Sequence, residues 1–456
     1  MNESLFGTDG IRGTPGKYPL TDGMLFKIGS AAAKLLRQRK QGTQRPKIII
    51  GKDTRLSCYE LETILANGII SSGADVLKVG IVHTPGLAYL THYFNADMGL
   101  MISASHNRPE DNGIKFFSST GHKLSESEEE WLESIIFSSF IKFDELPSSE
   151  TGSINTIEDA QVKYMEFLKS CAPDLDLTGL KIVVDCGFGA VANFGPQLLR
   201  QLGAEVFPIS DRPDGANINV GCGVLHPEVM ADMVAKFNAD IGLAFDGDGD
   251  RLILSDEQGN ILDGDYIMAI IGLKLMKENR LTQNTIVTTV MSNFGFEETI
   301  KRAGGRLIRT PVGDKYILDA MRKRGFTFGG EQSGHIIFLD YSTTGDALIT
   351  ALQILKVMKE TNKKLSRLSQ CMRKLPQVLT NVKVREKMPF DSITRVSEVI
   401  NQSKDRLESI GRLLVRYSGT EPVARIMVEG KDERLIKEIA DTIAKAIQDT
   451  LGIDNK

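Results

Sequence analysis

The sequence predicts an α/β protein: three related α/β domains with mixed, mostly parallel sheets, followed by a smaller C-terminal α+β domain. Three observations predict it. One phrase occurs twice, as Phe94-Asn-Ala-Asp-Met-Gly-Leu-Met-Ile-Ser103 and as Phe237-Asn-Ala-Asp-Ile-Gly-Leu-Ala-Phe-Asp246. A β-rich run, an amphipathic segment, a glycine and a second β-rich run recur in that order three times. From Leu375 the pattern changes to strand, helix, two strands and a long closing helix.

The first repeat is Pro46-Lys-Ile-Ile-Ile-Gly51, an amphipathic segment from Leu61 to Ser72, then Gly73-Ala-Asp-Val-Leu-Lys-Val79. The second is Leu180-Lys-Ile-Val-Val-Asp185, Gln197 to Leu202, then Gly203-Ala-Glu-Val-Phe-Pro-Ile209. The third is Thr285-Ile-Val-Thr-Thr-Val290, Phe296 to Ala303, then Gly304-Gly-Arg-Leu-Ile-Arg309. Each glycine stands where a helix needs a left-handed C-terminal cap before the chain turns into a strand. Continuous Ile/Val runs without alternation suit strands covered on both faces, hence mostly parallel sheets. The tail reads as a strand from Leu379 to Val384, a helix from Ser397 to Glu408, strands Arg412 to Arg416 and Ala424 to Val428, and a helix from Asp432 to Leu451. Domain boundaries are expected at 1–155, 156–256, 257–370 and 371–456.

Composition excludes several classes. Hydrophobic residues at 41% and charged residues at 25% are ordinary for a globular chain with real cores. A formal charge of -4 leaves no basic footprint for nucleic acid. The apolar stretch from Tyr266 to Met276 is interrupted by Lys274 and too short for a bilayer, and the opening Met1-Asn-Glu-Ser-Leu-Phe6 lacks the basic-then-apolar order of a secretion signal. Cys58, Cys171, Cys186, Cys222 and Cys371 are odd in number and form no C-x-x-C pair, which argues against disulfides and structural zinc and for a reducing cytoplasm.

The duplicated strand ends once in Ser103-Ala-Ser105-His106-Asn107 and once in Asp246-Gly-Asp248-Gly-Asp250-Arg251; the third unit offers Gly329-Gly-Glu331-Gln332-Ser333-Gly334-His335. Ligands in open α/β sheets sit beyond the carboxyl ends of strands, so these loops are expected to face one cleft. Three alternate carboxylates on a glycine-rich turn converge without ruinous repulsion only around a cation, and an all-oxygen site suits magnesium. A calcium EF-hand needs glycine at its sixth position, where Arg251 stands. A serine beside a divalent cation and Lys115 is suited to carrying a phosphoryl group, and no G-x-S-x-G elbow points to acyl chemistry. Arg416, Ser418, Gly419, Thr420 and Arg425 form a short basic loop with hydroxyls and bare backbone, a phosphate site by its donors. Gly187-Phe-Gly189-Ala-Val-Ala192 fits a dinucleotide fingerprint, with Asp211 ending the next strand; a tight turn in a repeated module explains it equally.

With those motifs in order, the chain resembles the α-D-phosphohexomutase superfamily over essentially its full length. Phe6-Gly-Thr-Asp-Gly-Ile-Arg12-Gly, Asp111-Asn-Gly-Ile-Lys115, Asn217-Ile-Asn219, Met291-Ser-Asn293 and Thr310-Pro-Val-Gly-Asp314 add to the resemblance, which is nearest to the branch acting on glucosamine phosphates. The resemblance implies four domains in a heart-shaped arrangement. It implies interconversion of glucosamine 6-phosphate and glucosamine 1-phosphate through a phosphoserine and a 1,6-bisphosphate, feeding UDP-N-acetylglucosamine and cell-wall precursors. By motif, Ser105 would carry the phosphate, and Asp246, Asp248 and Asp250 would hold one Mg²⁺ per subunit together with Ser105. Arg12, Lys115 and His335 would assist the chemistry; Gly313, Glu331 and Ser333 would bind the sugar. Arg416, Ser418, Gly419, Thr420 and Arg425 would grip the phosphate that is not reacting. The partner is then a small phosphosugar, with no nucleic acid or membrane, and with room for a homodimer.

A phosphoglucomutase or phosphomannomutase is the nearest alternative; an NAD-dependent oxidoreductase built on Gly187 and Gly189 and a non-catalytic phosphosugar binder are the others. Three departures from the family pattern stand out. Arg108 occupies a position where proline is typical, which would loosen the serine loop or make it more cationic. Cys186-Gly-Phe-Gly189 and Val220-Gly-Cys-Gly223 also differ, and are expected to lie away from the chemistry.

Overall fold

A computed structural model describes residues 5–7, 9–39, 44–138, 150–408, 410–418 and 421–453. Three open sheets and one small antiparallel sheet follow one another along the chain.

The first sheet runs, in spatial order, Ile11–Gly13, Asn112–Ser118, Met98–Ile102, Lys47–Lys52, Asp75–Ile81, Ile154–Thr156. The second runs Ile261–Leu262, Leu252–Asp256, Ile241–Phe245, Lys181–Asp185, Glu205–Ile209, and the third Arg306–Thr310, Thr285–Thr289, Phe328–Gly330, Ile336–Phe338. In each, the first three strands of the repeat are parallel and the one after them turns back antiparallel; in the first sheet Ile154–Thr156 adds another parallel strand. The second sheet extends to Leu262 through a hairpin whose turn is held by Asp256, which accepts from the amides of Gln258 and Asn260 at 2.9 Å.

The duplication extends to individual contacts. Asn95 and Asn238 both adopt left-handed backbone, at φ 52° and 49°. Asp97 and Asp240 each accept from the amide of the first residue of the central strand, Lys47 and Lys181, at 2.8 Å. The three predicted capping glycines, Gly73, Gly203 and Gly304, have φ of 81°, 98° and 83°. Helices start earlier than the segments expected from apolar periodicity, at Cys58, Gly195 and Phe294, because the residues of a first turn are set by the helix's unpaired amides rather than by a repeated apolar face. A short 3₁₀ turn, Ala190–Asn193, precedes the second of these.

The fourth sheet, Gln377–Lys383, Val423–Gly430, Gly411–Tyr417, is wholly antiparallel and covered by helices Thr394–Leu407 and Glu433–Leu451. Asp432 caps the latter by accepting from the amides of Arg434 and Leu435. One buried core joins residues of the first three units, from Ile49 to Met372, while the fourth has its own, from Val382 to Leu451. Among the described residues no helix is long and apolar enough to cross a membrane. All five cysteines are free and four are buried.

Candidate active site

The serine loop leaves the strand Met98–Ile102 and returns as Asn112–Ser118. At its start Ser105 takes φ +52°, a left-handed conformation that a non-glycine residue holds only when its surroundings over-determine it. Arg55 is what surrounds it. Fully buried, its guanidinium donates to Asp53 Oδ2 at 3.0 Å and to four main-chain carbonyls: Ser105, Asn107 and Asp111 at 3.0 Å, and Arg108. Asp53 in turn accepts from Ser103 Oγ at 2.6 Å, and Ser103 Oγ accepts from the Ser105 amide at 2.9 Å. Ser103 is thus committed to shaping the loop. Arg108 meets Arg55 through its carbonyl while its side chain is exposed, so the departure from proline leaves the tether intact.

The acidic loop, between Ile241–Phe245 and Leu252–Asp256, comes to Ser105. Ser105 Oγ donates to Asp246 Oδ2 at 2.6 Å. Each of Asp246, Asp248 and Asp250 offers an oxygen, all three lying within 4.8 Å of one another, and all three residues are buried. Asp248 Oδ1 and Asp250 Oδ1 are buried with no hydrogen-bond partner. Burial, with Asp250 and Asp248 as like-charged neighbours, pushes Asp246 well above the usual carboxylate range. Against the same burial, Lys115 and then His335 hold Asp250 well below it. A set of converging oxygens with unused lone pairs and strong mutual repulsion fits a divalent cation of the magnesium type.

Lys115, itself buried, stands 2.8 Å from Asp248 Oδ2, 3.1 Å from Asp9 Oδ2 and 3.6 Å from Asp250 Oδ2. Burial opposes its charge, but Asp248, Asp9 and Asp250 raise its pKa well above the ordinary lysine value, so it is an ammonium. Arg12 Nη2 lies 2.5 Å from Asp9 and its Nη1 3.4 Å from Asn107 Oδ1. His335 is buried, with Nδ1 3.6 Å from Asp250 Oδ2 and Nε2 accepting from the Gly345 amide at 3.2 Å. A backbone bridge between Arg251 and His335 fastens the acidic loop to the third unit.

In the third loop, Glu331 Oε1 accepts from the Gly313 amide at 3.2 Å, and Ser333 Oγ is buried without a partner. Gln332 donates to Asp263 Oδ2 at 3.2 Å, beside Lys374 at 2.6 Å, so its amide anchors the loop to the start of helix Gly264–Lys277. The residues expected to grip a phosphate lie on and beside the fourth sheet. Arg416 and Arg425 face each other across adjacent strands; burial and the like charge of Arg425 draw Arg416 below its ordinary range. Arg425 Nε is buried without a partner among the described residues, and its Nη2 lies 3.1 Å from Glu421. Ser418 is buried; Gly419 and Thr420 lie outside the described residues.

The expectation that the second-unit departures lie away from the chemistry is overturned. A Cβ on Gly189 would sit 2.4 Å from Gly247 O and 2.6 Å from its Cα, and the Ala190 amide donates to Gly247 O at 2.9 Å. Asn219, just before the second departure, donates to the carbonyls of Ser105 and Asn107 at 2.8 and 3.0 Å. The same contact disposes of the dinucleotide reading: Gly189 is small because the acidic loop presses on it.

Models of the phosphoglucomutase/phosphomannomutase α/β/α domains I, II and III match residues 3–141, 162–259 and 263–375, and the model of the C-terminal domain matches 379–446. The phosphoglucosamine mutase of Geobacter sp. (strain M21) is 50% identical over 451 residues, covering 99% of each chain. The chain belongs to the phosphoglucosamine mutase family. That of Syntrophotalea carbinolica is 48% identical over 457 residues, the whole of both chains. A solved phosphoglucomutase/phosphomannomutase family protein from Burkholderia thailandensis shares the fold with TM-score 0.79 at 24% identity, over 98% of both chains. Aspergillus fumigatus N-acetylphosphoglucosamine mutase, solved with GlcNAc-6P and magnesium, does so with TM-score 0.65 at 17% identity, over 97% of this chain and 95% of that one.

Several residues of this phosphoglucosamine mutase family member were missed in the sequence. Asp53 and Arg55 follow an Ile-rich strand at its carboxyl end, the same signal that marked the other loops, so they were within reach. Asp9 and Asp314 lie within the motifs at residues 6–13 and 310–314. Thr84, which donates to Asp248 Oδ2, carries no signal of its own in a helix's first turn.

Proposed function

We propose that this chain is a phosphoglucosamine mutase that interconverts glucosamine 6-phosphate and glucosamine 1-phosphate through a phosphoserine at Ser105 and a bound 1,6-bisphosphate. The observation that carries the reading is the contact of Ser105 Oγ with Asp246 across two units, at the edge of three clustered carboxylates.

Asp246, Asp248 and Asp250, with the Ser105 oxygen or its phosphate, would hold a magnesium ion. Bound there, the ion supplies charge compensation for the phosphoryl oxygens. Lys115 and Arg12, both cationic, add to that compensation from the first unit. The sugar O1 attacks the phosphorus of phosphoserine 105; the P–Oγ bond breaks as the P–O1 bond forms. The proton lost from O1 is matched by the one gained at Ser105 Oγ, which Asp246 is placed to accept as a hydrogen bond. After the bisphosphate turns round, Ser105 Oγ attacks the phosphorus of the 6-phosphate; the P–O6 bond breaks as the P–Oγ bond forms, and the proton lost from Oγ is matched by the one gained at O6. Glu331 and the unpartnered Ser333 hydroxyl are suited to the sugar hydroxyls, while Arg416, Ser418 and Arg425 are suited to whichever phosphate is not reacting. A water-poor cleft protects the phosphoserine from hydrolysis. Free cysteines and a phosphosugar substrate suit a reducing cytoplasm.

Ser105→Ala tests the assignment. Turnover should vanish, with far-UV circular dichroism unchanged and no phosphate in the intact mass; retained turnover sinks it. Preference for the amino sugar over glucose and mannose 6-phosphates is read from relative kcat/KM on the three.

A further inference from the structure

One ammonium bridges the first and third units beside the site, and nothing in the reaction just described uses it. Lys123 Nζ is hydrogen-bonded to Asp9 Oδ1 and lies 2.5 Å from Asp314 Oδ2; all three side chains are four-fifths buried or more. The two carboxylates belong to different machinery. Asp9 turns its other oxygen to Arg12, at 2.5 Å, and to Lys115, at 3.1 Å. Asp314 follows Gly313, whose amide holds Glu331, and its Oδ2 lies 3.7 Å from His335 Nε2.

We infer that Lys123 is a positioning residue for phosphoryl transfer, a strut that fixes the cations of the first unit against the sugar loop of the third. Two anions facing each other across a seam repel, and a single buried cation between them turns that repulsion into a fixed separation. Among the described residues a second ion pair crosses this seam, Lys315 with Glu126 at 2.9 Å; its carboxylate is largely exposed and it contributes little. A cavity of about 930 Å³ opens on the seam, with Asp9, Lys123 and Asp314 in its wall. Ser105, the three aspartates, Glu331 and the clamp arginines do not line it, so the strut stands between that cavity and the phosphoryl-transfer site. Reaction rates respond to displacements of about 1 Å, so loosening the strut acts on the transition state more than on phosphosugar binding, to which the remote clamp contributes.

The inference rests on the proposed roles of Arg12, Lys115 and Glu331. Lys123→Met keeps the length and removes the charge. Per mole of phosphoserine, measured by intact mass, its kcat should fall at least tenfold with KM within threefold, and Lys123→Arg should recover most of the loss. Asp314→Asn, which leaves the Lys123–Asp9 pair in place, should shift kcat in the same direction and serves if Lys123→Met fails to fold. Wild-type kcat per phosphoserine in either variant, or a loss that Lys123→Arg does not recover, overturns the strut. Ser105→Ala assayed alongside separates the two readings: its inactivity with wild-type kinetics in Lys123→Met defeats the strut alone, whereas its turnover defeats the parent assignment.

Discussion

At the scale of single residues, Arg55 decides the geometry of the serine loop. One planar guanidinium satisfies four carbonyls of a loop that has no regular ladder of its own, and its charge is matched by Asp53. Arg55→Met should cost about 3–5 kcal/mol, the usual penalty for breaking a buried ion pair, and lower kcat about a hundredfold by releasing Ser105. Arg55→Lys should not rescue it, since a lysine offers three donors from one point. Urea midpoints and kcat for both variants check this; full activity in Arg55→Met refutes it. Residue types were the most readable layer of the sequence. The three aspartates announced themselves because a carboxylate cluster at a strand end has few structural uses; serines in a loop are a weak signal, and the choice of Ser105 over Ser103 rests on the family motif. Arg55 stands at a strand end of the same kind, but most of its partners are carbonyls, which every residue carries, so its position was legible and its role was not.

Among elements, strand, loop and returning strand recur three times, and their existence was legible from Ile/Val runs and capping glycines. Their first turns were not. Helix Thr84–Tyr93 shows why: its N-cap is His83, a residue of no capping preference, buried against Tyr164 and Phe194 with ring centroids 4.6 and 4.9 Å away. Both its nitrogens lack partners, and burial pushes its pKa down to about 3 against the pull of Asp248 and Asp250. Between pH 6.5 and about 3, the unfolded chain binds a proton there that the folded chain refuses. This contribution is therefore whole above pH 6.5 and is lost as acid is added, amounting to about 2 kcal/mol at pH 5. His83→Leu should remove that part of the acid sensitivity. Denaturant midpoints at pH 7.5 and 5.0 provide the check, and an equal drop in both proteins counts against it.

For the whole molecule, the sequence signalled four units but not their seams. Ser105 meets Asp246, Lys123 meets Asp314, and Asn293 exchanges hydrogen bonds with the Leu375 carbonyl and amide at 3.0 and 2.9 Å; none of these pairs is local. Arg412 reaches from the fourth unit to the carbonyls of Val290 and Ser292, at 2.7 and 3.0 Å. Since the first three units share a core and the fourth has its own, rigid-body motion between units is expected of the fourth, about the Asn293–Leu375 contact.

The bond between Ser105 and Asp246 carries an implication about loading order. A phosphorylated serine has no proton to give, and it sets close to two further negative charges against three buried acids. On the proposed roles of these residues, the cation is expected to arrive before the first phosphate. Protein stripped with a chelator and incubated with a sugar 1,6-bisphosphate should show no added phosphate by intact mass, and magnesium should restore it. Equal phosphate incorporation with the chelator present would disprove that sequence of events.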